Sequence, residues 1–589
     1  MSSETSPAKP LAHPAWRVWD NPIFRRYCCS RLRPRGLGVS LLLTVLIAGF
    51  MVAMAYSAGV STATRVAETI LSADPTATID IDALNAKHLE PAARAALIPM
   101  LILQGVILFV FGTAQVAGGM TAERDEGVID YQRLIPMSPL SKVIGYVFGL
   151  PVREYVMFFT TLPFAAWLFW KGRVESTVWL QLYTALLSSA LLYHFTGLLT
   201  GTVAKNRRWA FLASIGLVFC LYTVIPQLSK FGLVFFKYLT ITPVVEECLP
   251  KMLPEEAAGP LRLFRRFVPV VKFFGLDFSE LVFTLFSQLA LILNFIIMLC
   301  RRWRRAESHL LGKLWATGFY IWIQILLLGN ALPLVESGDL FPSRALRGGL
   351  MNIVGGPREP QPMEAVVMAG VYGLFTLLLI FLLGGIITPT PENQVKGWRR
   401  ARKQGRSSLP FLSDPATSFW FVIVMAVAGA AGWFLFTRGV VESVWFPGHV
   451  VPMKTLGYFV AVMLTCGLSF QLLLEAWGGR VVTLMAIFVG VLPIMIGAVL
   501  IPVGDEMYPA VAWLLSISPL STPIYASLSL LSLAELPVEI ARAVPAAFTF
   551  WLAVGALLTT WLIYRLISTR RAMAKEVLSG SVGELDAGN

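Results

Sequence analysis

The stretch TAERDEGVIDYQRLIPMSP, residues 121–139, places a patterned, charged surface between two long apolar segments. Glu123 and Glu126 stand three residues apart, so a helix would carry both on one face. Serine is a favoured helix N-cap and proline suits the first helical position, so Ser138 and Pro139 predict the start of a new helix. The stretch therefore predicts a short helix outside the bilayer, followed by a return into it. A bare connection would need fewer residues, so we expect something to dock here.

Composition assigns the chain to the membrane proteins. Its 589 residues are 56% hydrophobic and 14% charged, with a mean hydropathy of +0.68, whereas soluble domains carry about 25% charged residues. The apolar residues form runs of about twenty, the length that crosses a hydrocarbon core. We therefore predict an all-α integral membrane protein with about twelve transmembrane helices, near residues 37–57, 95–119, 144–170, 176–202, 209–227, 279–300, 315–335, 365–387, 419–436, 456–474, 481–501 and 544–567.

Lysine and arginine concentrate in alternate loops, which predicts that both termini are cytoplasmic. Asn21-Pro22 opens a basic amphipathic helix expected to lie on the membrane surface. Proline-broken segments at 228–278 and 502–543 predict short or re-entrant external helices. The net charge of +13 is spread over these loops, so no nucleic-acid partner is expected. The predicted organisation is a tail with the surface helix, a six-helix half, a basic linker, a second six-helix half and a tail, at 1–36, 37–300, 301–314, 315–567 and 568–589.

An internal repeat supports two halves. Pro243 in LTITPV and Pro519 in LSISPL are 276 residues apart, and Pro139 and Pro415 are separated by the same distance. The offset also carries predicted spans onto predicted spans. A shared offset of this kind predicts two parallel six-helix repeats, each with a re-entrant external segment between its fifth and sixth helix.

Catalytic and metal-binding motifs are not evident in the sequence. The six cysteines and five histidines are scattered without ligand spacing. Gly312-Lys313 is followed by Leu314 and lacks the upstream glycine of a phosphate-binding loop. We therefore expect a chain that is not itself an enzyme and binds no cofactor.

Arg153 and Glu154 fall in the third predicted span, where charge is costly and often functional. Adjacent residues on a helix do not face each other, so each is expected to pair with a neighbouring helix or to extend to the interface. They are the candidate intramembrane polar residues.

The run from Glu123 to Gly127, followed by Pro136 and Ser138-Pro139, resembles the first cytoplasmic loop of type-2 ABC exporter permeases. The basic helix at 21–35 is similar to the surface helix before the first span of these permeases. The resemblance implies an exporter in the bacterial inner membrane, whose ATP and magnesium are bound by a separate ATPase subunit. It also implies that two permease halves are fused here into one transport pathway. The implied ATPase-coupling residues are Glu123, Arg124, Glu126, Gly127, Pro136, Ser138 and Pro139. The loop 388–418 departs from this pattern and is basic, which leaves ATPase contact by the second half open.

Other functions stay open at this point. An ion- or proton-coupled secondary transporter also favours twelve spans in two repeats and would depend on Glu154. A membrane-embedded enzyme or an assembly subunit would need a polar cluster in a loop. The acidic run could be a solvated face without a partner, and the basic loops at 301–305 and 399–406 could serve topology and lipid contact. No residue pattern identifies a substrate.

Overall fold

A computed structural model describes residues 16–75, 78–204, 206–252, 270–305, 307–345, 359–531 and 537–579. The structure is 82% helical, and its described strands are confined to a two-stranded sheet of Val270–Phe273 and Leu276–Ser279. An all-α protein is therefore confirmed. The predictions made for 1–15, 253–269, 306 and 580–589 lie outside the described residues.

The described residues form two compact units. The first lies within Met1–Pro226, Phe236–Val271 and Phe278–Ala306. Its α-helices are α1 Pro22–Arg31, α2 Pro34–Ala73, α3 Ile81–Gly105, α4 Thr113–Asp125, α5 Val128–Leu134, α6 Pro139–Gly149, α7 Val152–Lys171, α8 Ser176–Val203, α9 Arg207–Thr223, α10 Ile225–Ser229 (which continues into the second unit), α11 Thr242–Met252 and α12 Glu280–Arg304. A π-helical stretch, Val106–Gly112, joins α3 to α4, so that Ile81–Asp125 forms one long helix.

The second unit holds Glu307–Asn589 together with two short pieces, Gln227–Phe235 and Lys272–Asp277. Its helices are α13 Lys313–Ser337, α14 Pro342–Ala345, α15 Pro362–Ile387, α16 Pro391–Lys403, α17 Phe419–Val441, α18 Lys454–Met485, α19 Leu492–Leu500, α20 Tyr508–Leu515, α21 Thr522–Leu530 and α22 Val538–Ser579. A π-helical stretch, Ala486–Val491, links α18 to α19.

Nine helices in the described part of the chain are long and apolar enough to cross a membrane. Counting the bent pair α6 and α7 as one span raises the number to ten. Several have most of their apolar window exposed, as α2 does with 11% buried. Exposed apolar helices of this length need a hydrocarbon environment, so the prediction of a membrane-embedded protein is confirmed.

Local start signals act as predicted. The Asn21 side chain accepts a hydrogen bond from the backbone N–H of Ile23 at 3.0 Å, and α1 begins at Pro22. The Ser138 hydroxyl accepts one from the backbone N–H of Ser141 at 3.1 Å, and α6 begins at Pro139. Both caps satisfy donors that the first helical turn leaves unpaired.

The mixed, fairly acidic composition of residues 58–94, between the first two predicted spans, predicts a loop, and this prediction is wrong over most of the segment. Helix α2 continues to Ala73 and α3 already begins at Ile81. With 40 residues, α2 extends roughly 60 Å at 1.5 Å per residue, about twice the ~30 Å hydrocarbon core. Hydropathy detects only the apolar part of such a helix, so the polar extension was mistaken for a loop.

The proline-broken segments contain short elements, as expected. The described part of 228–278 holds a 3-10 helix at Val234–Leu239, α11 and the two strands. The described part of 502–543 holds α20, α21 and the start of α22. Neither α11, α20 nor α21 exceeds 11 residues, too few to cross a bilayer.

Candidate functional site in the charged segment

Residues 121–139, called the charged segment below, turn sharply at one glycine. Gly127 has φ +74°, a left-handed conformation that suits glycine. Its N–H donates to the Arg124 carbonyl at 3.0 Å and closes the end of α4. The predicted outer helix is α5, Val128–Leu134, so Glu123 lies in the last turn of α4 instead of on that helix.

Glu123 is a buried anchor. Its residue is 6% exposed, and one carboxylate oxygen accepts from Arg26 Nη2 at 2.5 Å and from the Tyr27 hydroxyl at 2.8 Å. The other oxygen accepts from the Tyr146 hydroxyl at 3.2 Å. Three donors from α1 and α6 thus compensate the buried charge. Glu123 therefore links helix α1 to the charged segment through these hydrogen bonds.

The Tyr27 hydroxyl stays protonated beside Glu123. Burial raises the pKa of Tyr27 well above its ordinary range, and the neighbouring Tyr146 and Glu123 act in the same direction. The phenol therefore stays a donor at any physiological pH. Arg26 is half exposed, so its ion pair with Glu123 is partly screened by solvent.

A small cavity of about 170 Å³ lies beneath α5. Its lining includes three basic side chains, Arg124, Arg133 and Arg302, together with Asp130 and several apolar residues. Arg133 forms an ion pair with Asp130 on the same helix, and Arg124 donates to the Thr202 carbonyl at 3.3 Å. Arg124 thus points toward its own unit.

The outward face of α5 carries large exposed side chains. Tyr131 is 79% exposed and Leu134 is 81% exposed, and their spacing of three puts them on one helical face. Asp125 and Glu126, which precede α5 in the chain, are also exposed. The sequence prediction selected Glu126 but missed this apolar pair. The i, i+3 spacing of two large apolar residues, in a segment predicted to lie outside the membrane, could have indicated it.

The end of the charged segment is fixed to α6. Lys142 Nζ donates to the Ile135 carbonyl at 3.1 Å, and the Ser138 hydroxyl caps the helix. Pro136 is exposed and Pro139 occupies the first helical position. A force applied to α5 would therefore reach α6 through a short, hydrogen-bonded connection.

Arg153 and Glu154 pair with each other, which corrects the expectation that each would pair with a neighbouring helix or reach the interface. Helix α6 ends at Gly149 and α7 begins at Val152, with a 53° bend between them. In the first turn of α7, Arg153 Nη2 lies 2.9 Å from Glu154 Oε1. Glu154 is 1% exposed.

The second unit has a corresponding buried carboxylate that the sequence did not indicate. Glu475 of α18 is 2% exposed and forms an ion pair with Arg570 of α22, whose Nε lies 2.7 Å from Oε1. Gln394 of α16 donates to it at 3.2 Å and Thr417 donates at 3.1 Å. These partners fasten α16 against α18 and α22.

The exposed side of α16 is basic. Its outward residues include Lys396, Arg399, Arg400, Arg402 and Lys403. Glu307 forms ion pairs with Arg400 at 2.5 Å and with Lys396 at 3.8 Å. The described exposed surface of this helix is thus opposite in charge to that of the charged segment.

Comparisons of this chain with models of protein families, with curated proteins and with solved structures found no match.

Proposed function

We propose that the chain is the membrane-spanning permease of an ATP-driven exporter of the type-2 ABC class, with ATP hydrolysed by a separate subunit. The observation that carries the proposal is the exposure of Tyr131 and Leu134 on α5, which follows the exposed Asp125 and Glu126 in the chain. Exposed apolar side chains rimmed by charge are typical of a protein-binding surface. In this proposal the charged segment lies in the cytoplasm and contacts the ATPase.

The proposed architecture has twelve spans. The 50-residue stretch Lys454–Val503 would extend about 75 Å as one helix, and Gly478 interrupts it with non-helical φ 77° and ψ 177°. We divide it there into two spans. The bent pair α6 and α7 supplies one more, and α9 is an apolar helix of 17 residues. With the eight other candidates, these helices cover all twelve predicted segments.

The proposed repeat is supported by element bounds. Moving α8, Ser176–Val203, by the sequence offset places it on 452–479, which overlaps α18 from Lys454 to its break at Gly478. Moving α11, Thr242–Met252, places it on 518–528, which overlaps α21, Thr522–Leu530. Two six-helix halves in one chain would make a complete permease.

The contacts of the charged segment define how it would transmit motion. The ATPase would press on α5, and Gly127 would allow the bend at the end of α4. The Ser138 cap and the Lys142 bond to Ile135 would carry the movement into α6. Glu123 would carry it into the surface helix through Arg26 and Tyr27, so its role in this proposal is to hold the segment rather than to touch the ATPase.

The test is recovery of an ATPase with the tagged full chain from its native membrane, with ATP hydrolysis assayed on the eluate. Tyr131→Ala/Leu134→Ala should abolish the co-purified activity while the yield of the chain is unchanged. Leu557→Ala/Tyr564→Ala is the matched control, because these residues are 73% and 74% exposed on the membrane helix α22. Retained activity in the α5 variant, or equal loss in the control, would contradict the proposed docking surface.

The alternative of a proton-coupled secondary transporter rests on one observation. Glu154 is buried, and its Oε2 has no hydrogen-bond partner among the described residues. Its other oxygen accepts a hydrogen bond from Arg153 Nη2 at 2.9 Å. Glu154→Gln should abolish transport if protons drive it, and should preserve ATP-dependent transport in the exporter.

A further inference from the structure

A larger cavity, of about 620 Å³, opens in the first unit where α1 joins α2 and α7 begins. This size is within the range of small-molecule sites, about 300–1,000 Å³. The lining is formed by Ser30, Arg31, Arg33, Pro34, Arg35, Gly36 and Arg153. Four arginines thus surround one space that the charged segment does not use.

The positive charge of this cavity is poorly compensated. Arg31 donates to the Gln115 side chain at 2.7 Å, which is a neutral partner. Only Arg153 has a carboxylate, that of Glu154. In the described part of the chain, Arg33 and Arg35 make no ion pair within 4.0 Å. Burial has the largest effect on the pKa of Arg31 and lowers it, the charge of Glu154 raises it, and the charge of Arg153 lowers it by less. An anion in the cavity would compensate the positive charge of Arg33 and Arg35.

An exposed apolar surface begins directly beyond the cavity. Helix α2 starts at Pro34, and over about its first five turns it presents Val39, Leu42, Leu46 and Phe50, each more than half exposed. Their spacing of three or four residues places them on one side of the helix. The arginines at the start of this helix match the anionic headgroup of a phospholipid. The exposed apolar residues that follow them match its acyl chains.

We propose that this cavity binds the phosphate of an anionic phospholipid, with the acyl chains along the exposed stripe of α2. Arg33 and Arg35 direct charge-assisted hydrogen bonds to the phosphate oxygens, for which the guanidinium fork is well shaped. Arg31 and Arg153 contribute from α1 and α7. A bound headgroup thereby links the surface helix, the first span and the third span. The proposal depends on the membrane location of the chain and not on the exporter function.

The test is the thermal stability of the purified full chain in a non-ionic detergent, titrated with phosphatidylglycerol, phosphatidylcholine or inorganic phosphate. Phosphatidylglycerol should raise the Tm, and phosphatidylcholine should raise it much less. Arg33→Gln/Arg35→Gln should require an about tenfold higher phosphatidylglycerol concentration for half of the shift. Arg33→Lys/Arg35→Lys, which keeps the charge but loses the fork, should fall between the variant and the wild type.

The control is Arg399→Gln/Lys403→Gln, which removes the same charge from exposed positions of α16. It should titrate as the wild type does. An equal effect of both lipids, or an equal weakening in the control, would overturn the site. Equal stabilisation by inorganic phosphate would assign the cavity to a free anion instead of a lipid. The Tm of each variant without lipid separates a folding defect from lost binding.

Discussion

Glu123 in the first unit and Glu475 in the second are both buried acids whose hydrogen-bond partners compensate for lost contact with water. Each is a buried carboxylate a few residues before a glycine that interrupts or ends its helix, Gly127 or Gly478, and each is held by an arginine from a helix distant in sequence. Tyrosine hydroxyls donate the other hydrogen bonds to Glu123, whereas a glutamine amide and a threonine hydroxyl donate to Glu475. In both places the acid joins a peripheral helix, α1 or α16, to membrane helices.

The outward surfaces beside these anchors differ. The charged segment presents Tyr131 and Leu134 with acidic neighbours, whereas α16 presents Arg399, Arg402 and Lys403. The two units therefore share a means of holding a peripheral helix but not the surface that the helix offers. A partner that docks on the first unit by apolar and acidic contacts would find no equivalent surface on α16.

The largest effect should come from the more deeply buried anchor. Arg570→Gln leaves the Glu475 carboxylate inside the second unit with only neutral donors, and breaking one side of a buried ion pair costs about 3–5 kcal/mol. We expect a large fall in the Tm of the detergent-purified chain. Differential scanning fluorimetry measures it.

Glu475→Gln/Arg570→Gln provides the control for this prediction. Removing both charges leaves no uncompensated ion, so the double variant should regain much of the lost Tm. A double variant as unstable as Arg570→Gln alone would show that packing of the arginine stem, and not its charge, holds the helices together.

The anchor of the first unit should be more tolerant. Arg26 is half exposed, and two tyrosine hydroxyls remain on Glu123 after its removal. We expect Arg26→Gln to destabilise by about 1–2 kcal/mol, clearly less than Arg570→Gln. Tyr27→Phe should cost about 1 kcal/mol through one lost hydrogen bond. The same Tm measurement compares them, and an Arg26→Gln loss as large as that of Arg570→Gln would contradict the difference in burial.

Sequence signals that act over a few residues predicted local structure well. The caps at Asn21 and Ser138 depend on side chains that bond their own helix within three residues. Apolar runs likewise located the nine helices of the described residues that are long and apolar enough to cross a membrane, because the length of a run is set by the bilayer.

Interactions across long sequence separations were not predictable. Glu123 meets Arg26 across 97 residues and Glu475 meets Arg570 across 95, and no local pattern distinguishes these acids from solvated ones. The length of α2 beyond its apolar part was missed for a related reason, since its polar turns carry no hydropathy signal. The Arg153–Glu154 pair was missed because the rule that adjacent helical residues do not face each other was applied to a long, flexible arginine side chain.

A smaller loss of Tm, equal at the two positions, is expected at two glycines that each follow the end of a helix. Gly127 has φ +74° and Gly405 has φ +65°, and an added Cβ would meet no atom within 4 Å at either position. Alanine should therefore cost only the backbone strain of a left-handed residue, about 1 kcal/mol. Equal Tm losses for Gly127→Ala and Gly405→Ala are expected, and only Gly127→Ala should reduce ATPase activity recovered with the chain. A reduction by both would indicate that both units contact the ATPase.

The smallest effect on stability should come from exposed charges, where the two surfaces can be compared most directly. Glu126 and Arg399 are both exposed, and surface substitutions usually change stability by less than about 0.5 kcal/mol. Glu126→Lys and Arg399→Glu should therefore leave the Tm unchanged.

If the acidic residues before α5 face a basic surface on the ATPase, Glu126→Lys should lower recovery of ATPase activity most strongly at low salt, where exposed charges are least screened. Arg399→Glu should leave that recovery as it is. The opposite pattern would place the ATPase contact on α16, so this pair of charge reversals decides which of the two surfaces is the docking surface without disturbing either anchor.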